Sequence, residues 1–422
     1  MKHFCVIVPA YNEAVVIKAT LQALMVAGAH AEDIYLVDDC SKDDTGDIAR
    51  SLGVNVLRND PNIGKALGIE RVVKEFGLVE KYQFIALMDA DTLVDVEYFP
   101  DMLEKFDEPV LTKPNYKSLR RDLKLMGSWN KELDERLKRE GTTLNDIPKL
   151  PVAIRSKYEV GIVCGRPISQ PYNWLTAYRA LCYANGHYVY RRAQGKVGMI
   201  CIAPGCSTMY RSVIFNRLNW KNGTSAEDMY VTIQAYHQGI CKIAYANKAK
   251  VYTQTPRTLP SYMKQMDRWY GGTWQVIARL RVYWGMMKVD WECKLLWTEG
   301  LIMAVFRLVL PFVAILSPLF LKPDASFPWY ANLLLSWITG DPWYLGSLNA
   351  VLILMIGGYI GSVPAMLVFA ILERRFDIVK YSPLYPMMWY IDAFFFIRAF
   401  VKAVILKQDI KWFSPPRYVG GR

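Results

Sequence analysis

Apolar and polar residues alternate in blocks through the N-terminal part of the chain. Short, nearly continuous apolar runs recur at residues 4–8, 34–37, 54–57 and 84–88. Such runs are typical of strands buried on both faces, as in a parallel sheet. Helical spacing of apolar residues fills the stretches between them, at residues 13–27, 44–52 and 64–76. The pattern predicts an α/β domain with a doubly wound sheet, in which ligands bind beyond the carboxyl ends of the strands.

A second pattern, of long apolar runs, begins near residue 293. A membrane-spanning helix needs roughly 20 mostly apolar residues, and three runs meet this length, at 295–320, 348–372 and 385–406. The stretch 327–346 is interrupted by Gly340-Asp341-Pro342, so the pattern is compatible with either three or four membrane-spanning helices. Glu299, Arg307, Asp392 and Arg398 lie inside the runs, where a charge faces a cavity or a partner.

These patterns predict four segments along the chain. They are a domain at 1–272 with a basic helical insertion at 113–158, an interfacial amphipathic segment at 273–292, transmembrane helices within 293–406, and a basic tail at 407–422.

Composition and charge favour a membrane protein. Hydrophobic residues make up 52% of the chain, and its net charge is +12. Basic residues beside the apolar runs suit anionic lipid headgroups. No nucleic-acid-binding module is recognisable, so we expect no nucleic-acid partner. The eight cysteines include no Cys-x-x-Cys pair, which favours free thiols in a reducing compartment. We expect a multi-pass protein of the plasma or inner membrane with residues 1–272 in the cytoplasm.

Polar residues follow three of the predicted strands. They are Pro9-Ala10-Tyr11-Asn12-Glu13, Asp38-Asp39 and Asp89-Ala90-Asp91. Asp89 and Asp91 alternate and therefore share one side of the chain, where two hard oxygen donors suit Mg²⁺ or Mn²⁺. Asp38 and Asp39 would repel each other unless a basic ligand, a metal or an N–H donor lay beside them. Lys65 opens a predicted helix and suits an anion, although a capped surface helix explains it equally well.

Seven motifs in order resemble glycosyltransferase family 2. VPAYNE, VDDCSKDDT, NIGK and DAD resemble its GT-A domain. APGCSTMYR (203–211), SAEDMYVTIQ (225–234) and QMDRW (265–269) resemble its processive branch, which comprises the hyaluronan, chitin, cellulose and poly-N-acetylglucosamine synthases. The resemblance implies a GT-A (Rossmann-like) fold and a membrane-bound inverting glycosyltransferase. It would move sugar from a UDP-sugar to a growing polysaccharide. Transfer to a polyprenyl phosphate or other lipid, and nucleotide-sugar binding without catalysis, are the alternatives.

The resemblance also implies roles for individual residues. Asp228 would be the general base, supported by Glu227, and Asp91 with Asp89 would hold Mg²⁺ or Mn²⁺. The nucleotide sugar would contact Pro9, Tyr11, Glu13, Asp38, Asp39, Lys65, Asp89 and Arg268. The acceptor side would be formed by Gly205, Cys206, Gln265 and Trp269. The tail WFSPPR (412–417) resembles a segment after the last helix of relatives and is a candidate gate. Asp267 receives no role.

Overall fold

The computed structural model describes residues 3–107, 159–320, 374–410 and 413–418, with single positions between them. The predicted insertion at 113–158 and the apolar stretches 327–346 and 348–372 therefore lie almost entirely outside the described residues. The strands are β1 (Phe4–Ala10), β2 (Ile34–Asp38), β3 (Asn55–Arg58), β4 (Phe84–Leu87), β5 (Thr92–Val94), β6 (Val160–Ser169), β7 (Thr208–Arg211) and β8 (Lys242–Thr253).

Helices connect these strands and extend beyond them. In the first half they are α1 (Ile17–Val26), α2 (Thr45–Ser51), α3 (Lys65–Phe76), α4 (Leu78–Lys81) and α5 (Tyr98–Lys105). In the second half they are α6 (Trp174–Tyr183), α7 (Arg191–Val197), α8 (Ser212–Phe215), α9 (Glu227–His237), α10 (Leu259–Arg279), α11 (Lys288–Phe320) and α12 (Tyr385–Phe400). A π-helical segment, Ala184–Tyr190, joins α6 to α7, and another, Val401–Ile405, follows α12.

The described strands form one sheet in the order β3-β2-β1-β4-β7-β6-β8-β5. β1 is parallel to β2 and β4, and β2 is parallel to β3, which confirms the parallel half predicted from the sequence. Beyond β4 the sheet is mixed, because β7 runs antiparallel between β4 and β6 and β5 runs antiparallel to β8. The α/β architecture is thus confirmed, with a parallel half and a mixed half.

The sequence of β1 alternates between the two faces of the sheet. Cys5 and Ile7 pack in one buried cluster with apolar residues of α3, and Val6 and Val8 pack in another with apolar residues of α1. Successive strand residues point to opposite faces, so a strand covered on both faces needs a continuous apolar run. The polar residues that follow β1 and β4 are thereby left at the sheet edge.

The last described helices pack on one another beside this domain. α10 and α11 both contact α12, and Trp274 of α10 packs edge-to-face against Phe396 and Phe400. α10 is continuous across residue 272, so the predicted boundary between the domain and the interfacial segment falls inside one helix. Within the described residues, no helix combines the length and the apolar character needed to cross a membrane.

Candidate active site

Asp39, at the end of β2, is fixed by the loop that leads into α3. Its carboxylate accepts hydrogen bonds from the backbone N–H groups of Ile63 (2.9 Å) and Gly64 (2.8 Å) and from the Asn59 amide (3.0 Å). Gly64 has φ +85°, a left-handed conformation that favours glycine, and this allows the chain to turn into the helix. Asp39 therefore shapes the start of α3, where Lys65 lies.

Asp38 is satisfied by different protein groups. Arg58 donates to it at 2.6 Å, and the backbone N–H of Ser41 donates at 2.9 Å. The repulsion expected between Asp38 and Asp39 is thus relieved within the protein, by a guanidinium on β3 and by backbone donors. A contact of either residue with a nucleotide stays a prediction.

Lys65 joins the end of β4 to the start of α9. Its ammonium group lies 2.6 Å from Asp89 Oδ1 and 3.5 Å from Glu227 Oε1. Burial opposes the charge on Asp89, but Lys65, then Arg417 and Arg268, hold the pKa of Asp89 below its ordinary value. Positive charge from three parts of the chain therefore converges on this carboxylate.

Arg417, near the C-terminus, occupies the acidic side of the site. Its Nη1 donates to Asp91 Oδ2 at 2.6 Å, while Nε and Nη2 each donate to a Glu13 carboxylate oxygen at 2.7 Å. Burial raises the pKa of Glu13 and of Asp91 although Arg417 opposes the shift in both. Residues that follow β1 and β4 are thus bridged by one guanidinium of the tail.

The described tail residues 413–418 are held by further contacts. The Tyr418 backbone exchanges two hydrogen bonds with the Gln254 side chain, at 2.8 and 3.0 Å. The Arg257 guanidinium lies 4.2 Å from the Tyr418 ring centroid and 3.9 Å from that of Tyr172. The family resemblance indicates that this tail lies near the site. No sequence signal, however, identifies Glu13 and Asp91 as the partners of Arg417 or Gln254 as the residue that binds the Tyr418 backbone.

The carboxylates at this edge fit a divalent cation that is shared with a substrate. Among the described residues, no three His, Cys, Asp or Glu side chains gather into a self-sufficient metal site. Mg²⁺, however, is commonly held by one or two carboxylates and completes its shell with substrate phosphates and water. Asp89 and Asp91 supply such a pair, and the Arg417 contact shows that Asp91 accepts a positive charge here. Those two residues could hold Mg²⁺ or Mn²⁺.

Asp228 lies in the first turn of α9 and faces the loop before β7. Its Oδ2 accepts from the Gly205 backbone N–H at 3.1 Å, and its Oδ1 accepts from the Met229 N–H at 2.8 Å. Burial, followed by the neighbouring charge of Glu227, raises the pKa of Asp228 to about 6, with Lys65 opposing. A fixed carboxylate with this pKa is suited to accept a proton near neutral pH.

The QMDRW residues lie within α10 and face two directions. Gln265 is 5% exposed, and its Oε1 has no hydrogen-bond partner among the described residues. Asp267 points instead to the C-terminal helices, with Lys402 Nζ at 2.9 Å and Arg398 Nε at 3.8 Å. This residue, which had no role in the sequence analysis, therefore joins α10 to α12 and the segment after it.

The structure brings most of the predicted site residues to one edge of the sheet. Lys65 pairs with both Asp89 and Glu227. Asp228, next to Glu227 in the chain, accepts from the Gly205 N–H, and Arg417 links Glu13 to Asp91. Burial raises the pKa of Cys206 well above its ordinary value, with Asp89 and Asp91 contributing next. Tyr11 follows β1 and is 40% exposed, and Pro9 lies within β1.

Known proteins resemble this chain at the level of sequence and of fold. The profile of the family described as "Glycosyltransferase like family 2" matches residues 2–272. The poly-β-1,6-N-acetyl-D-glucosamine synthase of Staphylococcus aureus (strain COL) is 22% identical over 275 residues, which cover 64% of this chain and 54% of that protein. A chitin synthase of Meloidogyne artiellia is 24% identical over 180 residues, which cover 39% of this chain and 9% of that protein.

The chain thus spans about half the length of the first of these relatives, and far less of the second. Among solved structures, the mannosyltransferase PcManGT from Pyrobaculum calidifontis, in complex with GDP-Man and Mn²⁺, aligns with a TM-score of 0.51. The alignment covers 96% of this chain and 88% of that chain at 16% identity, and it shows a shared fold.

Proposed function

We propose, from the premise that this chain belongs to the glycosyltransferase-like family 2, that it transfers the sugar of a UDP-sugar to an acceptor hydroxyl with inversion. The observation that carries this proposal is the environment of Asp228. Two backbone N–H groups fix its carboxylate, and Lys65 connects its neighbour Glu227 to Asp89. Lys65 therefore connects the neighbour of the proposed base to one of the two carboxylates suited to a diphosphate-bound cation.

In the proposed reaction the acceptor oxygen attacks the anomeric carbon while the bond from that carbon to the diphosphate breaks. The hydroxyl proton passes to Asp228, whose pKa of about 6 leaves it mostly ionised at neutral pH. Lys65 and Arg268 provide positive charge close to Asp89, where the diphosphate would lie. Mg²⁺ or Mn²⁺ bound with Asp89 and Asp91 would neutralise charge on the departing diphosphate.

We propose a saccharide chain as the acceptor. A tryptophan offers a flat apolar surface to a sugar ring, and Trp269 lies half-buried on α10, one turn after Gln265. A polyprenyl phosphate or other lipid acceptor is the competing possibility. Sizing the product separates them, because a single labelled sugar that extracts into organic solvent would replace the saccharide proposal with the lipid one.

We also propose that the apolar runs at 295–320, 348–372 and 385–406 anchor the protein in the plasma or inner membrane, with the catalytic domain in the cytoplasm. Exposed apolar side chains support this: Trp284 and Met286 before α11 are 85% and 77% exposed, and Phe312 on α11 is 67% exposed. Apolar surface of this kind marks contact with lipid or protein. Membrane fractions should retain the chain in alkaline carbonate, and its release as a monodisperse protein would contradict the anchor.

The enzymatic proposal is tested with the purified full chain, a panel of UDP-sugars, and Mn²⁺ or Mg²⁺. We expect donor-dependent UDP release that Asp228→Asn abolishes while binding of the donor survives. Asp47→Asn is the matched control, because the Asp47 side chain is 79% exposed and pairs with Arg50, one turn away on the same helix. Full turnover by Asp228→Asn would remove Asp228 as the base. UDP binding without release from any donor would instead support a non-catalytic nucleotide-sugar-binding protein.

A further inference from the structure

Trp269 is backed by a buried cation. The Arg179 guanidinium carbon lies 4.9 Å from the Trp269 ring centroid, and the ring of Tyr183 lies 6.4 Å away on the same helix as Arg179. Arg179 is only 5% exposed. A cation over the face of a tryptophan is attracted by the negative charge of its π system, and the attraction grows when water is excluded. The Trp269 ring, which belongs to α10, is therefore held at a defined place against α6.

Arg179 is in turn held among aromatic rings. Its guanidinium carbon lies 5.2 Å from the Tyr183 ring centroid and 5.5 Å from that of Tyr262. One Nη contacts the Met266 sulfur at 3.8 Å. The cation thus lies between α6 and α10, and its position depends on the rings that surround it.

Asp392 of α12 binds one of these rings, Tyr262, and a neighbouring tyrosine of α6. Tyr178 donates a 2.5 Å hydrogen bond to Asp392 Oδ2, and Tyr262 donates a short one to Oδ1. A phenol that donates to a carboxylate becomes more electron-rich, because linked hydrogen bonds polarise one another. The Tyr262 ring is thereby a better partner for the Arg179 cation. The chain of contacts runs from Asp392 through Tyr262 and Arg179 to Trp269.

Further contacts, outside this chain, also hold α10 against α12 and the segment that follows it. Asp267 pairs with Lys402, and Tyr270 and Trp274 pack edge-to-face on Phe396. Removing one charge or one hydroxyl at Asp392 or Tyr262 should therefore leave the helices together. Because the helices have these other contacts, a polar chain that ends at the predicted acceptor residue is suited to position that residue.

We propose that Arg179 is a positioning residue for Trp269 in acceptor binding, and that Asp392 holds Arg179 in place through Tyr262. The acceptor role of Trp269 rests on the proposed function. The contacts between Trp269 and Arg179 do not depend on that proposed function. Asp392 lies within a run predicted to cross the membrane, where a charge faces either a cavity or a partner. In this proposal its partners are Tyr178 and Tyr262.

The test uses the full chain in detergent with two readouts. The first is kinetic, with UDP-N-acetylglucosamine as donor and an N-acetylglucosamine tetrasaccharide as acceptor. In Arg179→Met we expect the acceptor KM to rise about tenfold, equivalent to about 1.4 kcal/mol. Release of UDP without acceptor should stay unchanged. Tyr262→Phe and Asp392→Asn should raise the same KM less, and Arg179→Lys should recover part of the loss.

The second readout requires no turnover. In protein labelled with 5-fluorotryptophan, the Trp269 fluorine resonance is assigned by its absence in Trp269→Phe. Arg179→Met, Tyr262→Phe and Asp392→Asn should each shift it. Arg192→Met is the matched control, because Arg192 is exposed and lies 5.7 Å from the Tyr188 ring centroid in a comparable cation–π contact. It should change neither readout.

The outcomes separate the inference from the proposed function. If the wild-type chain turns over this pair and the Arg179 and Tyr262 variants keep its acceptor KM, the positioning role is refuted. An equal rise in Arg192→Met refutes it as well. If no UDP-sugar is turned over, the proposed function fails. If, in addition, the Trp269 resonance is unshifted in all three variants, the positioning of Trp269 by Arg179 is refuted as well.

Discussion

Replacing Asp228 by asparagine should abolish transfer and also stabilise the fold at neutral pH. The wild-type carboxylate is buried beside Glu227, and both effects raise its pKa from 3.8 to about 6. The native state therefore holds the proton more tightly than the unfolded state does. Ionising the group at neutral pH costs native stability, and this cost disappears as the pH falls through about 6 towards 3.8.

The magnitude follows from the pKa. Each tenfold change in acidity is worth about 1.4 kcal/mol, so the ionised group costs about 3 kcal/mol at pH 7. Asparagine keeps one acceptor oxygen and loses one of the hydrogen bonds from Gly205 and Met229. That loss is about 1 kcal/mol. We therefore expect Asp228→Asn to raise the free energy of unfolding by about 2 kcal/mol at pH 7.

Denaturant unfolding of the detergent-solubilised chain, with chelator and without donor, measures this difference between pH 4 and 7.5. The stability gain of Asp228→Asn should be largest above pH 7 and should shrink as the pH falls below 6. Asp47→Asn, at an exposed site, should show no such pH-dependent gain. A variant that is no more stable than the wild type at pH 7, with the same difference at pH 4.5, would refute the inferred environment of Asp228.

The proposed base, the C-terminal tail and a close backbone contact should each respond measurably to a change of pH or of one residue. The rate of UDP release should fall as the pH drops through about 6, the pKa of Asp228, because protonation removes the base. A rate that does not change between pH 5 and 8 would contradict this prediction. Arg417→Met should tighten Mn²⁺ binding in the absence of donor by about tenfold, because the Arg417 guanidinium no longer competes with the metal for Asp91. Electron paramagnetic resonance measures this affinity, and unchanged binding would exclude the competition. Gly165→Ala should lower the free energy of unfolding by about 1–3 kcal/mol, because the new Cβ would lie 2.4 Å from Ser207 Oγ. Denaturant unfolding measures this loss, and unchanged stability would show that the contact relaxes freely.

The local pattern of the sequence was sufficient for the parallel half of the domain. The runs that predict β1 to β4 are apolar because both sheet faces are covered, and this requirement is visible in a window of a few residues. Asp89 and Asp91 were identified for a similar reason, since a strand end and a two-residue spacing are local features. The later strands β6, β7 and β8 were not predicted. Charged residues interrupt the apolar runs of the two long ones, at Arg166 in β6 and at Lys248 and Lys250 in β8.

The family resemblance is confirmed over residues 2–272, and it implies the proposed role of Asp228. No pattern in the sequence identifies the residues that contact Asp228. The contact between Glu13 and Arg417 joins residues 404 positions apart, and Asp267 meets Lys402 across two helices. Such pairs depend on how the helices and the tail pack against the sheet. No spacing in the sequence shows which charged residues will pair. The sequence by itself determined which groups reach the edge of the sheet. Only the tertiary structure decided which charges meet there, because long-range contacts form when distant elements pack together.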